Sequence, residues 1–251
     1  MSQRPIALVT GASRRAGIAA AIVQALAGDD WDIATTYYRP YDSELGYGAQ
    51  ANDAEAITGE AEARGARTAA IEADLSAIEA PARIFDAVES ALGPVTALVL
   101  SHCVSVDSGI EDTTVESFDR HFAVNARATW LLVREFGRRY VGPFGEGRIV
   151  ALTSDDTAGN LPYGASKGAL DRIVLAAAKE FADQGICANV VNPGPVDDGW
   201  MSEELKVDLR RLTPLGRLGT TTDTANLVRF LCSPEGGWIN GQLLKSNGGI
   251  A

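Results

Sequence analysis

Pro5-Ile6-Ala7-Leu8-Val9-Thr10-Gly11-Ala12-Ser13-Arg14-Arg15-Ala16-Gly17-Ile18-Ala19 passes from a short apolar run, through a glycine-bearing turn, into a stretch of helical period. Its first part reads as a strand, and Ile18, Ile22 and Leu26 then recur every fourth residue, the spacing of one helix face. Small residues in such a turn let the backbone approach a bound group closely. The helix that follows offers free N–H groups and a partial positive charge, the combination that favours a phosphate. Gly11, Ser13, Arg14, Arg15, Gly17 and Ile18 are therefore candidate phosphate-binding positions. The spacing is not Gly-x-Gly-x-x-Gly, so the turn alone also fits an ordinary strand-to-helix connection.

The same alternation continues to the end of the chain. Strands are predicted over 6–9, 33–37, 68–72, 97–100, 148–152, 187–191 and 242–245, with helical segments between them. Two further stripes, Val115, Phe118 and Phe122, and Leu170, Val174, Ala177 and Phe181, are expected to face a core. Strands alternating with helices imply right-handed crossovers and a doubly wound, seven-stranded parallel α/β sheet covered on both faces. Ligands of such sheets bind at the carboxyl ends of the strands, near the switch in strand order. No linker-like stretch interrupts residues 1–251, so one domain is expected. The connection 38–49, with Gly-Tyr-Gly at 46–48, is expected on the surface.

Composition narrows the function classes. The 251 residues are 46% hydrophobic, enough for a large core, and carry a formal net charge of −11. A nucleic-acid partner would need a basic face, so none is expected. There is no apolar run of membrane-spanning length and no leader-like start, which predicts a soluble cytoplasmic protein. Cys103, Cys187 and Cys232 lack metal-ligand or disulfide spacing, so neither a metal site nor a disulfide framework is expected.

The end of the second strand distinguishes between dinucleotides: a carboxylate there binds a ribose 2′-hydroxyl, and an arginine accommodates a 2′-phosphate. This chain reads Tyr37-Tyr38-Arg39, with Asp32 at the strand's start and Asp42 beyond Pro40, and Arg14 adds charge in the first turn. NADP(H) is therefore favoured over NAD(H), with Tyr38 and Arg39 beside the adenosine. The alternative is that both arginines are solvated surface groups.

Tyr163-Gly164-Ala165-Ser166-Lys167 places an amine one helical turn beyond a phenol, on the same face. A cation held there makes a phenol of ordinary pKa about 10 a more usable proton donor. Together with this pair, Thr10-Gly11 to Gly17, Ala73-Asp74-Leu75, Asn125, Thr153-Ser154, Asn192-Pro193-Gly194 and Asn247-Gly248-Gly249 stand in an order that resembles the short-chain dehydrogenase/reductase family from end to end. The resemblance implies a Rossmann fold, a nicotinamide cofactor and reversible hydride transfer to a carbonyl or imine carbon of a small molecule. It implies Tyr163 as acid, Ser154 as a second donor to the reacting oxygen, and Lys167 lowering the tyrosine pKa while gripping the nicotinamide ribose. Asn125 would hold a water that relays protons to Lys167. Asp74 would bond the adenine beside Leu75, Ser101 would support the cofactor pocket, and Pro193, Gly194 and Val196 would lie against the nicotinamide. A homotetramer, or dimer, packed through helices around 112–140 and 162–184 is implied as well.

Three departures bear on chemistry. Ser154 lies only nine positions before Tyr163, so the loop 155–162 is short, and a strand-end serine can also cap its own backbone. Where relatives carry Asn-Asn-Ala-Gly, this chain has Leu100-Ser101-His102-Cys103, with His102 expected to be a satisfied structural histidine. The Thr-Gly-x-x-x-Arg-x-Gly form of the first turn resembles pteridine-reductase-like members, which keeps pterin and imine substrates open beside ketones, aldehydes and 3-oxoacyl groups. Residues 195–217 are expected to form a substrate lid carrying Trp200 and Met201. If Asp155, Asp156, Asp197 and Asp198 face inward, neutral or cationic substrates are favoured. An acyl carrier protein, itself acidic, suits a chain of this charge poorly unless Arg134, Arg138 and Arg139 form a local patch. A protein that binds NADP as a sensor without turning over is the alternative of another class.

Overall fold

In the computed structural model, which describes residues 4–45 and 49–250, seven strands form one parallel sheet in the order β3-β2-β1-β4-β5-β6-β7. The strands are β1 Ile6–Val9, β2 Asp32–Tyr37, β3 Thr68–Glu72, β4 Ala97–Leu100, β5 Arg148–Leu152, β6 Cys187–Asn192 and β7 Leu243–Lys245. Every residue of β1, β4, β5 and β6 is buried, as expected of central parallel strands covered on both faces. Alternation assigns the faces: Ile6, Leu8, Leu98 and Leu100 enter one core with Phe85, Leu132, Phe136, Leu170 and Val174. Ala7, Val9, Ala97 and Val99 enter the other with Ile22, Leu26, Ile57 and Val228.

The helices that supply these faces are α1 Ile18–Gly28, α2 Arg39–Leu45, α3 Asp53–Glu62, α4 Ala80–Ala91, α5 Val115–His121, α6 Ala128–Arg139, α7 Leu161–Glu180, α8 Glu203–Leu212 and α9 Thr221–Cys232. Chain order reverses between β1 and β4, which share a register of Ala7 with Ala97 and Val9 with Val99, so a crevice opens at their carboxyl ends. Strand boundaries differ from the sequence expectation by one residue at β2, β6 and β7. Asp32 joins β2 because it pairs with Ile6 and its N–H donates to the Pro5 carbonyl at 2.9 Å, while its buried carboxylate takes the Arg67 backbone N–H at 2.8 Å and the guanidinium at 2.7 Å.

Two larger expectations need correction. Residues 38–49 are not a plain surface connection: Arg39–Leu45 is a helix with Pro40 in its first turn. Gly46, Tyr47 and Gly48 lie outside the described residues. The stripe Val115, Phe118 and Phe122 does not face the core: Val115 is 71% exposed and Phe118, stacked on Phe122, 37%. The inward face is instead His121, Asn125, Ala128 and Leu132, which runs through a π-helical stretch over Phe122–Arg127 between α5 and α6.

Candidate active site

One cleft of about 1340 Å³ runs along the carboxyl ends of the strands, from the first turn to the start of α7 and under residues 195–209. That exceeds the ~300–1,000 Å³ usual for a small-ligand pocket and leaves room for a dinucleotide and a substrate together. Gly11, Ser13, Arg14, Gly17 and Ile18 line one end. Gly11 has φ +77°, and a Cβ there would meet the His102 Cα at 2.7 Å, so only glycine lets the turn pack on the end of β4. Gly17 caps α1 without a side-chain bond, which leaves the first N–H groups of the helix facing the cleft.

His102 fixes the floor. It is buried, its Nε2 lies 3.1 Å from the Val124 carbonyl and its Nδ1 2.7 Å from the Thr10 hydroxyl. The carbonyl can only accept, so Nε2 carries the proton and Nδ1 accepts from Thr10. Burial, and after it the charge of Lys167, pushes its pKa down to about 3. This histidine is neutral and structural.

Beyond the first turn, Tyr38, Asp74, Leu75 and Ser101 line the cleft, and Tyr38 bonds the Asp74 carboxylate, which also accepts the Ser76 N–H at 2.8 Å. Two expected arginines do not line it. Arg39 turns outward, stacks on Tyr37, bonds Glu72 at 2.9 Å and pairs with Glu55. Arg15 pairs with Glu60 on the surface. Both side chains follow the nearest carboxylates. Asp42, carried into the cleft by α2, was missed as a site residue: burial raises its carboxyl pKa, which a bond to Ser13 partly offsets.

Tyr163, Lys167 and Ser154 converge at the other end. Ser154, half-buried at the end of β5, bonds the Tyr163 phenol and accepts the Asp156 N–H at 3.1 Å. The short loop therefore leaves the serine facing the tyrosine. It does so because a Cβ on Gly164 would meet the Asp156 carbonyl oxygen at 2.0 Å: the loop lies on the bare backbone of α7. The Lys167 ammonium, buried, donates to the Leu152 carbonyl at 2.8 Å and sits 5.6 Å from the centre of the Tyr163 ring. The expected acidification of the phenol is not what this arrangement produces. Burial raises the Tyr163 pKa well above 10.0, and Cys103, Asp156 and Tyr41 add to the rise. Burial also lowers that of Lys167.

Asn125 does not reach the cleft. Its Oδ1 accepts the Val104 N–H at 2.7 Å, and its Nδ2 donates to the Val104 carbonyl and the Ser166 hydroxyl, both at 2.9 Å. Its side chain ties the segment after β4 to α7.

Pro193, Gly194 and Val196 line the cleft where 195–217 departs. That segment is pinned at its base by a bridge between Val196 and Gly219 and carries α8. Trp200 lines the cleft, whereas Met201 is buried outside it. Asp198 meets Arg14 at 2.9 Å, Asp197 meets Lys206 at 3.1 Å and Asp155 meets Lys245 at 2.8 Å. Of the four aspartates expected to set the local potential, three are thus paired with cations, and Asp156 adjoins the phenol. Tyr41, whose hydroxyl accepts the Ser105 N–H at 2.8 Å, and Asn160 also line the site. Asn160 was legible only as a helix start before Leu161-Pro162. Among the described residues no group of His, Cys, Asp and Glu could hold a metal ion, and no helix is long and apolar enough to cross a membrane.

Known proteins resemble this chain over nearly its whole length. A family model described as enoyl-(acyl carrier protein) reductase matches residues 11–251. The uncharacterized oxidoreductase YjdA of Bacillus subtilis is 36% identical over 254 residues, covering 99% of this chain and 98% of that protein. An NADPH-dependent aldehyde reductase-like protein, chloroplastic, of Arabidopsis thaliana is 35% identical over 259 residues, covering 97% and 93%. A crystal structure of a short-chain dehydrogenase from Burkholderia cenocepacia in complex with NADP superposes with TM-score 0.88 at 33% identity, covering 99% of this chain and 98% of that one.

Proposed function

The chain belongs to the short-chain dehydrogenase/reductase family, and from that premise we propose that it is an NADPH-dependent reductase of small aldehydes or ketones. The observation that carries this reading is the meeting of the Tyr163 phenol with Ser154 and Lys167 in the same cleft as the open helix terminus at Gly17. Hydride arriving at a carbonyl carbon leaves negative charge on oxygen, so the site must supply a proton and a second donor. NADPH, when bound, supplies that hydride. Tyr163 Oη gives its proton to the oxygen, and Ser154 Oγ donates a hydrogen bond to the same atom. Burial opposes ionisation of the phenol, and the Lys167 ammonium, 5.6 Å from the centre of the ring, would stabilise the phenolate left when the proton is given up. Asn125 acts through Val104 and Ser166, as a positioning residue.

The turn from Gly11 to Ile18 would hold the pyrophosphate, Asp74 and Leu75 the adenine, and Pro193, Gly194 and Val196 the nicotinamide. Arg14 is the cation of the first turn that lines the cleft, which supports NADP(H), as do the relatives named for NADPH or solved with NADP. Asp42 favours the NAD(H) reading, because a carboxylate at this end suits a ribose hydroxyl better than a phosphate. Arg139 is tied to Asp86 and Glu89, and Arg134 to Glu135, so the arginine patch is internally neutralised and supports a free small molecule rather than a carrier-bound substrate. The exposed apolar face of α5 and α6 supports self-association.

Replacing Tyr163 with Phe tests the reading. Turnover of a panel of aldehydes, ketones, imines and pterins, followed by absorbance of the reduced nicotinamide, should fall by about 10²-fold or more while NADPH affinity holds. A non-catalytic sensor would show no turnover to lose, and NADPH and NADH assayed side by side decide the cofactor.

A further inference from the structure

The helix α2 spans the crevice between the carboxyl ends of β1 and β4, held there chiefly by polar side chains. Its seven residues are too few to keep helical form unaided. None from Arg39 to Glu44 is buried, and none of them is anchored in either core. Instead, side chains at three positions reach three other elements. The Tyr41 hydroxyl accepts the Ser105 N–H at 2.8 Å, beyond the end of β4. Asp42 bonds Ser13, in the turn after β1. Glu44 accepts from both terminal nitrogens of the Arg120 guanidinium on α5, at 2.7 and 2.8 Å, and that guanidinium lies 5.5 Å from the centre of the Tyr41 ring. Ser13, Ser105 and Arg120 all line the cleft, as do Tyr41 and Asp42. The ties thus reach both sides of the switch point, where a ligand enters such a sheet. The start of α2 is anchored separately, outside the cleft, by Arg39 to Glu55 and Glu72.

We propose that α2 is a strap over the cofactor crevice, latched by Glu44 to Arg120 and by Tyr41 to Ser105, and that its opening sets the rate at which the dinucleotide enters and leaves. A lightly packed segment with exposed polar ties belongs to the part of a fold that opens at least cost. The Glu44–Arg120 pair is half-exposed, so water and salt compete for it, and it can break without disturbing either core. The tie of Arg14 to Asp198, from the first turn to the lid 195–217, is mostly shielded, which makes α2 the side that yields first. The segment after β4 supplies a built-in reporter. Three successive N–H groups there go to three different partners: Val104 to Asn125 at 2.7 Å, Ser105 to Tyr41 at 2.8 Å and Val106 to His121 Nε2 at 3.1 Å. Opening of the strap frees the middle one and leaves its neighbours bonded.

The proposal rests on the reading that this cleft takes a nicotinamide dinucleotide, and the test separates the two. Amide exchange followed by NMR needs no cofactor. Glu44→Gln should speed exchange of the Ser105 N–H by about threefold, the effect of losing an exposed ion pair, and Glu44→Lys, which sets two cations face to face, by about tenfold. Exchange at Val104 and Val106 should hold at the wild-type rate in both. Stopped-flow fluorescence of the reduced nicotinamide should show NADPH binding and leaving faster in the same order, with Kd changed less than either rate, because a gate acts on both directions alike. Exchange at Ser105 unmoved in Glu44→Lys, or an acceleration shared equally by Val104 and Val106, overturns the proposal. So does NADPH dissociation at the wild-type rate in a variant whose Ser105 exchange has quickened. If neither NADPH nor NADH binds, the reductase reading fails, and exchange at Ser105 still decides whether α2 opens as a strap.

Discussion

Arg39 shows how one side chain's surroundings override its place in the sequence. It follows β2 where a 2′-phosphate is normally met, yet Glu55, Glu72 and the Tyr37 ring hold its guanidinium outside the cleft. Arg39→Ala should therefore change the KM for NADPH by less than about twofold, whereas Arg14→Ala should raise it about tenfold, the effect of losing a charge-assisted bond to phosphate. Steady-state KM measured with NADPH and NADH checks both. His102 carries a pH consequence. Its folded pKa of about 3 lies below the ordinary 6.5, so its contribution is complete above 6.5 and is lost as pH falls from there toward 3. The loss is on the order of a few kcal/mol, so urea midpoints should fall on acidification below about 6.5. A His102→Gln variant should show a shallower fall.

At the scale of the element, the short loop between β5 and α7 and the glycine in the first turn of α7 are one feature. Gly164 offers no Cβ, and the Asp156 carbonyl occupies that space, which draws 155–160 down so that Ser154 faces Tyr163 and Asn160 lines the cleft. Gly164→Ala should displace this loop rather than α7, because the added carbon meets backbone that cannot rotate away. The expected result is a drop in kcat/KM of about tenfold or more, with a loss of stability of about 1–3 kcal/mol, read from carbonyl kinetics and denaturant unfolding. The π-helical stretch lies on the other side of α7's start. It carries Asn125 inward to Val104 and Ser166, while Val115 and Phe118 on the preceding α5 face outward.

For the whole molecule, that outward face matters together with Trp130 on α6, 48% exposed, and Trp238 near the β7 edge, 98% exposed. Large apolar groups exposed on the surface of a chain with charge −11 are candidates for contact between copies. Sedimentation velocity should therefore show a species larger than the 26.4 kDa monomer, and Trp130→Glu together with Phe118→Glu should shift it toward the monomer. The seven strands, their parallel sense and the two-faced core were legible in the sequence, since β-branched runs and helical stripes report local geometry, although packing turned the stripe of Val115, Phe118 and Phe122 outward. The residues Thr10 to Gly17 and Tyr163 to Lys167 likewise marked both ends of the cleft, because a tight turn and a helix face are set by near neighbours. What only the tertiary structure decided were interactions across long separations: Arg14 with Asp198, Arg39 with Glu72, Asn125 with Val104, and Asn160 set among Ser105 and Asp156. A side chain's partner, and therefore its charge state and direction, depends on which distant segments the sheet brings together, and no local pattern carries that information.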